Sequence, residues 1–352
     1  MNLKSLYLLP ALLLAHSAAL AAPKISDDPK PRSAEKIIYF KQNGKFGAKT
    51  TSGKIIVPAQ YNCKFICEHG ETTGDELLFL DKSREVRGKV AYSPFFLHSR
   101  QGKFLYQPMM YDLASDYFSE GKRRYVSKDG KVGFADRADN LVTPAQHDWA
   151  GPFEYGYAAF CDGCREVHID EHTAVQGGTW GMMDARGNTV APSNTRRAAS
   201  DIERNGKFYP HPFTYTAAER DILQRINRYK NLIVGLAAVS YSPYKTAEER
   251  AAYRFEIVSQ PVQGYPYYEI VLFDGKGNTV EGERFLAGAD GKRLYALPVG
   301  EETPLPLETH LRHDIRSTLA EQPKRQKSGS WNDNPFRLKD YPEAKALLKR
   351  RK

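Results

Sequence analysis

Three copies of a short unit stand in this chain: glycine, any residue, an aromatic or apolar residue, glycine. Each copy sets a proline fourteen residues after its first glycine. The copies are Gly44-Lys45-Phe46-Gly47 with Pro58, Gly130-Lys131-Val132-Gly133 with Pro144, and Gly178-Thr179-Trp180-Gly181 with Pro192. A degenerate copy, Gly88-Lys89-Val90-Ala91-Tyr92, is followed by Pro108 after twenty residues, which implies a six-residue insertion around residues 94–100. With it, the anchors at 44, 88, 130 and 178 are spaced by 44, 42 and 48 residues. Downstream, Tyr61, Tyr111 and His147 each follow their proline by three. Phe118-Ser119-Glu120-Gly121 and Phe153-Glu154-Tyr155-Gly156 then repeat an F-x-x-G.

Short apolar stretches such as Lys54-Ile55-Ile56-Val57 and Asn140-Leu141-Val142 flank turn residues such as Thr51-Ser52-Gly53 and Arg186-Gly187-Asn188, so each unit reads as a small antiparallel β-meander. A unit of that size cannot bury its apolar face alone, and neighbouring copies must stack and share a core. The anchor aromatics and the tyrosine after the proline fall in that core by their spacing. Ligand stacking is the alternative role for Trp180 and Tyr61.

These residues resemble the WG-repeat family, whose unit runs roughly G-x-W-G-aromatic-apolar-D, a glycine turn, V-I-P-x-x-Y-D, then F-x-E-G-x-A. Trp180-Gly181-Met182-Met183-Asp184 with Gly187 and Val190-Ala191-Pro192 is the copy most like it. The resemblance covers about residues 36–200, and Phe46, Val90 and Val132 depart from it by replacing the name-giving tryptophan. It implies a mainly β repeat array of stacked meanders and a binding role, but no common reaction.

After a polar, basic stretch at 193–207 a different pattern begins. Thr216-Ala217-Ala218-Glu219 is a capping box, and Ile222, Leu223, Ile226, Tyr229, Ile233 and Leu236 recur at helical spacing, which predicts one long amphipathic helix. Strand patterns follow at Tyr253 to Ile257, Tyr267 to Phe273, Glu283 to Gly288 and Arg293 to Leu297. A helix followed by a meander gives a smaller α+β domain over 208–300, its helix packed on an antiparallel sheet. Residues 301–323 read as a short helical segment through Leu311, Ile315 and Leu319, and 324–352 as a basic, mobile tail.

The N-terminus carries Lys4, an apolar run from Leu6 to Ala15, and Ala19-Leu20-Ala21. That order is a signal peptide cut after Ala21, and a proline-rich linker covers 22–35. The expected location of the mature chain is the bacterial periplasm, with an extracellular one as the alternative. After residue 21 no apolar run approaches the ~20 residues of a spanning helix.

The net charge of +9 is unevenly spread. Residues 324–352 hold ten Lys or Arg against three Asp or Glu, while residues 22–323 hold 40 bases and 39 acids. A nucleic-acid-binding fold carries its basic stripe on the fold itself, so no nucleic-acid partner is expected. The tail offers weak contact with an anionic surface.

Four cysteines in an exported chain point to disulfides. The pairs are Cys63 with Cys67 and Cys161 with Cys164, or else crossed between the clusters. The alternative for the second cluster is zinc, since Cys161, Cys164, His168 and His172 form C-x2-C-x3-H-x3-H, a closed and therefore structural ligand set. Within it His168-Ile169-Asp170-Glu171-His172 matches the H-x-x-E-H string of inverzincin metalloproteases. That chemistry needs both histidines on one face of a helix, whereas the flanking residues read as a loop or strand between repeats.

The resulting expectation is a binding module without a catalytic site or cofactor, acting on a protein, peptide or cell-envelope polymer. Its contact residues are Phe95, Phe96 and His98 of the insertion, and Trp180. A satellite core under the insertion is the alternative for Phe95 and Phe96. Two rival functions remain: a metal-dependent envelope hydrolase using His168, Glu171 and His172, and an assembly factor docking through the basic tail.

Overall fold

The fold is read from a computed structural model that describes residues 35–63, 66–68, 76–82, 90–169, 172–241, 247–280, 283–298, 303–327 and 336–349. The expected signal segment, the linker apart from Glu35, Gly88 and Lys89 of the degenerate anchor, Glu171 and Trp331 lie outside the described residues. The described strands pair into antiparallel sheets, none of which closes into a barrel.

The repeat is visible as register. In the first copy, strand Lys45–Thr50 lies between Ile37–Gln42 and Ile55–Tyr61. Phe46 faces Tyr61, Ala48 faces Val57 and Lys49 faces Ile55. In the third copy Val132 faces His147, Phe134 faces Thr143 and Ala135 faces Leu141. The separations of fifteen, nine and six residues are the same in both. Each ladder slips between its first two pairs, where the second anchor glycine meets the proline strand. A Cβ on Gly47 would lie 2.7 Å from the Ala59 nitrogen, and one on Gly133 2.7 Å from the Thr143 carbonyl oxygen. Glycine is required by that close approach, and Pro58 and Pro144 are tolerated because their strands are edges with a slipped ladder.

The degenerate copy is phased differently from the sequence expectation. Residues 94–100 are not an inserted loop, because Phe95–His98 is a strand between Leu77–Leu80 and Phe104–Pro108. Leu97 faces Tyr106 and His98 faces Phe104, again nine and six apart. All four residues of the strand are buried, and burial on both faces is what an uninterrupted apolar run provides for. Phe104–Pro108 continues through Lys122–Val126 into the third copy, so these two copies share one six-stranded sheet. In the last copy Tyr157–Asp162 pairs with Thr179–Asp184, with Cys161 opposite Trp180.

Beyond residue 210 a five-stranded meander runs in sequence order: Arg254–Ser259, Tyr267–Phe273, Glu283–Gly288, Leu294–Pro298 and Leu305–Pro306. Successive side chains of a strand point to opposite faces. Phe255, Ile257, Ile270, Leu272, Phe285 and Ala287 form a core with the helices. On the other face, Val258, Val271 and Phe273 pack against Tyr155 of the repeat region.

The expected single long helix is two, α1 (Ala217–Asn227) and α2 (Lys230–Tyr241). Thr216 and Glu219 form the capping box that starts α1. The Tyr229 hydroxyl, at the break, donates to Glu308 at 2.7 Å. α1 packs on strand Arg254–Ser259, whereas α2 packs on α3 (Ala247–Ala251) and α4 (Leu307–Lys327). α2 buries Leu232, Ile233, Val234 and Leu236. That is more than one helical stripe, so α2 cannot lie on the surface in line with α1.

Two further corrections concern the C-terminus. The helix expected within 301–323 extends to Lys327. Residues 336–349, assigned to a mobile tail, dock through Phe336, Tyr341, Ala344 and Leu347 into the core formed with α2 and α4. Pro342–Lys349 is itself a helix, α5. Tyr341 lies against Gly235 of α2, where a Cβ would stand 2.5 Å from the tyrosine Cζ, and its ring stacks on Phe336 at 4.7 Å. The basic residues of this segment mask a small apolar face that is spaced for a helix.

Tyr341→Ala is expected to destabilise the protein by about 3–5 kcal/mol, the cost of emptying a buried aromatic site. Lys339→Ser, at an exposed position, is expected to stay within ~0.5 kcal/mol. Urea unfolding midpoints of the two variants check this, and equal midpoints would return the segment to a mobile tail.

Candidate functional site

The two F-x-x-G turns build the junction between the repeat region and the five-stranded sheet. In each, a non-glycine residue precedes glycine and both adopt positive φ: Glu120 at 49° and Gly121 at 72°, Tyr155 at 46° and Gly156 at 75°. Two such residues in succession make the tight hairpin turn whose twist matches the strands it joins. Bridges Ser119 to Lys122 and Glu154 to Tyr157 close the turns. The turns are stitched to each other. The Gly156 N–H donates to Glu120 Oε2 at 2.7 Å, and the Ser119 hydroxyl donates to the Phe153 carbonyl at 2.6 Å.

Both turns press on the sheet. The Tyr155 hydroxyl donates to Glu256 Oε1 at 3.0 Å, its ring meets Phe273 edge-on at 4.9 Å, and the Arg254 guanidinium lies over it at 4.9 Å. The Tyr215 hydroxyl donates to the same carboxylate. Nearby, Arg137 grips the buried Glu269 with two bonds of 2.7 and 2.9 Å, and Arg284 stands 3.9 Å from it. Burial pushes the Glu269 carboxyl up, but the charge and hydrogen bonds of Arg137, with Arg284 and Lys122 behind, outweigh it and hold the group below the usual carboxylate range. The Phe118 ring takes the Arg123 and Arg137 guanidinium groups at 4.5 and 4.3 Å.

Beside this junction opens a cleft of about 960 Å³. Glu120, Tyr155, Trp149, Tyr157, Tyr209 and Arg204 are among its lining residues. Arg204 comes from the hairpin Ile202–Arg204 with Lys207–Tyr209 and donates to the Glu154 carbonyl at 2.6 Å. Two buried lining atoms have no hydrogen-bond partner among the described residues: Glu120 Oε1 and Arg204 Nε. Burial pushes the Glu120 carboxyl up to about 7, against the opposing pull of the Gly156 N–H, of Lys122, of the Tyr155 N–H and of Arg204.

Of the residues singled out from sequence, Phe95, Phe96 and His98 lie away from this cleft, in the core of the first copies. The two phenylalanines pack with Phe46, Tyr61, Leu77 and Phe79 in one cluster, rather than in a separate satellite core under an insertion. His98 Nε2 shares a hydrogen bond of 2.7 Å with the Tyr61 hydroxyl, and burial pulls its imidazole below the usual histidine range. Trp180 is 47% exposed. It donates from Nε1 to the Gly177 carbonyl at 2.7 Å and leans on Trp149, a lining residue, at 5.5 Å.

The cysteines pair within their clusters, Cys63 with Cys67 and Cys161 with Cys164. Cys161 and Cys164 therefore hold each other, and the zinc set loses both of its thiolates. The H-x-x-E-H run is a β-hairpin, Arg165–Ile169 against His172–Gln176 with Ile169 opposite His172, rather than the helix the protease chemistry requires. Asp170 and Glu171 lie outside the described residues. Glu120, Tyr155, Arg204 and Glu269 were not singled out, although the paired F-x-x-G strings place Glu120 and Tyr155 at equivalent positions.

A carboxyl whose folded value is raised favours the folded state while protonated, so stability falls as pH climbs from about 4.5 to about 7 and then levels off. The full effect is on the order of 3 kcal/mol. Glu120→Gln is expected to remove that fall, as measured by urea midpoints at pH 5 and 7.5. An unchanged slope would mean that the carboxyl is ionised in the fold.

Residues 133–163 match the family model of the WG containing repeat. The match opens on the anchor glycine of the third copy and runs through its proline strand, its F-x-x-G turn and the strand Tyr157–Asp162. It thus falls on a copy whose anchor is Val132, whereas the copy with the name-giving Trp180 lies outside it. No curated protein matches the chain. The family match supports the WG-repeat reading of the N-terminal sheets over the length of one unit.

Proposed function

We propose that this chain is an exported, non-enzymatic binding module, in which stacked WG-like β units joined to a helix-covered sheet hold a ligand in the junction cleft. The carrying observation is the cleft itself, about 960 Å³ of space with two buried polar atoms that no described protein group satisfies. Pockets that take ligands are concave, largely preformed and supplied with a few placed polar groups. Loops and turns held on a rigid scaffold are where such groups are usually found. The fitting class of partner is a peptide, a protein segment or an envelope polymer. The family resemblance, with its binding role, points the same way.

Export rests on the order of Lys4, the apolar run and Ala19-Leu20-Ala21, and two cysteine pairs suit an oxidising compartment. Protein recovered from a bacterial periplasm is expected to have an intact mass that begins at Ala22 with all four cysteines oxidised. Retention of residues 1–21 or free thiols would remove the export reading.

For the cleft, the test is retention of envelope material on the immobilised chain. Ala159 lines the cleft, and Ala159→Tyr is expected to cut retention about tenfold with an unchanged melting temperature. Unchanged retention would place the binding surface elsewhere, on the basic C-terminal segment or another face.

A further inference from the structure

Resting on the reading of the cleft as the ligand seat, we infer that its ligand is an uncharged, hydroxyl-rich saccharide chain. Three observations carry this. The first is that the two unsatisfied buried atoms make different demands: Glu120 Oε1 accepts when the carboxyl is ionised and can donate when it is protonated, whereas Arg204 Nε only donates. A buried polar atom left unpaired costs roughly 1–3 kcal/mol, so the ligand must answer both. An ammonium group could only donate, which leaves Arg204 unanswered, and a phosphate or carboxylate could only accept, which leaves the ionised Glu120 unanswered. A hydroxyl does either, and a row of hydroxyls does both at once.

The second observation is charge. Four glutamates and four lysines or arginines line the cleft, and Glu269 among them is already matched by Arg137. A lining with balanced charge does not pull strongly on either a polycation or a polyanion.

The third is shape and surface. Six aromatic residues line the cleft; Tyr155, Tyr157 and Tyr209 are buried, whereas Tyr117 is exposed and Phe118 and Trp149 are half-buried, so these last three rings are the ones a ligand can reach. A pyranose ring presents a face of C–H groups that packs on an aromatic ring and a rim of hydroxyls that meets polar groups, so one sugar unit uses both kinds of lining. The volume of about 960 Å³ is at the upper end of the roughly 300–1,000 Å³ of small-ligand sites, which favours several linked sugar units over one.

Calorimetric titration of the full mature chain with three tetramers of like length separates the chemistries: chitotetraose, which is neutral, its fully deacetylated amine, and tetragalacturonate. Cellotetraose and maltotetraose extend the neutral set. At least one neutral tetramer is expected to bind at least tenfold more tightly than either charged one. Glu120→Gln and Arg204→Met are each expected to weaken that binding about tenfold. Arg204 sits on an outlying hairpin, so its variant keeps the test valid if Glu120→Gln folds poorly.

Tighter binding of the amine or of the galacturonate, or no binding by any neutral tetramer, would overturn the inference. If no tetramer binds while Ala159→Tyr still abolishes envelope retention, the cleft remains a ligand seat for another chemistry and only the saccharide assignment falls. If Ala159→Tyr leaves retention intact, the seat itself is refuted.

Discussion

Between Glu120 and Tyr155 the chain makes one turn twice, and the bond that joins the two turns sets the position of everything at the junction. The Glu120 carboxylate of one unit accepts the Gly156 N–H of the next, and Ser119 returns a bond to the Phe153 carbonyl. These two bonds fix one turn against the other. Because both turns spend two residues in the left-handed region, their side chains are thrown outward from the meanders. Tyr155 is thereby delivered into the face of the five-stranded sheet, and the carboxyl of Glu120 to the edge of the cleft.

The sheet answers with buried carboxylates. Glu256 and Glu269 lie on the face turned toward the repeats and are 5% and 1% exposed. Burying a charge costs more than its partner commonly repays, and removing the partner costs about 3–5 kcal/mol. Here Glu269 accepts from Nε and Nη2 of Arg137, from the turn after the anchor strand of the third copy. Glu256 receives hydroxyls from Tyr155 and Tyr215. Apolar contacts among Tyr155, Val271 and Phe273 are non-directional and tolerate a sliding of one layer over the other. Two carboxylates that accept bonds only from particular groups tie the layers at separate points, which is how a cleft between them keeps a fixed shape.

Local patterns were legible in the sequence to the extent that local chemistry made them. The equal spacing of Gly44 with Pro58 and Gly130 with Pro144 became the same slipped register, because the glycine is needed where the proline strand approaches. The four strands read between residues 253 and 297 are present. The degenerate copy was misphased because it has no second glycine, and nothing else in Phe95-Phe96-Leu97-His98 distinguishes a buried strand from an apolar loop. The split between α1 and α2 was hidden by apolar residues that keep helical spacing across it, and the docking of residues 336–349 by the basic residues around Phe336, Tyr341, Ala344 and Leu347. Of the site, the pieces were written in the sequence, but their meeting was not. Arg137 and Glu269 are 132 residues apart, and Tyr155 and Glu256 are 101 apart.

One local rule crosses the boundary between the two regions. Asp184-Ala185-Arg186-Gly187-Asn188-Thr189-Val190 and Asp274-Gly275-Lys276-Gly277-Asn278-Thr279-Val280 differ at two positions in seven, and their turns are bonded alike. In each, the aspartate Oδ1 accepts the N–H groups two and four residues on, and the asparagine amide returns to Oδ2. The valine N–H then bonds back to the carbonyl of Met182 or Leu272. Asp136 and Asn140 make the same closure in a string that otherwise keeps only Val142. An aspartate side chain that mimics the backbone of a turn needs nothing from the rest of the fold, so the same string makes the same turn in a repeat unit and in the helix-covered sheet. Its consequence for the site differs by context alone. Asp274 sets Lys276 and Asn278 on the wall of the cleft, whereas the equivalent Arg186 and Asn188 stand exposed outside it.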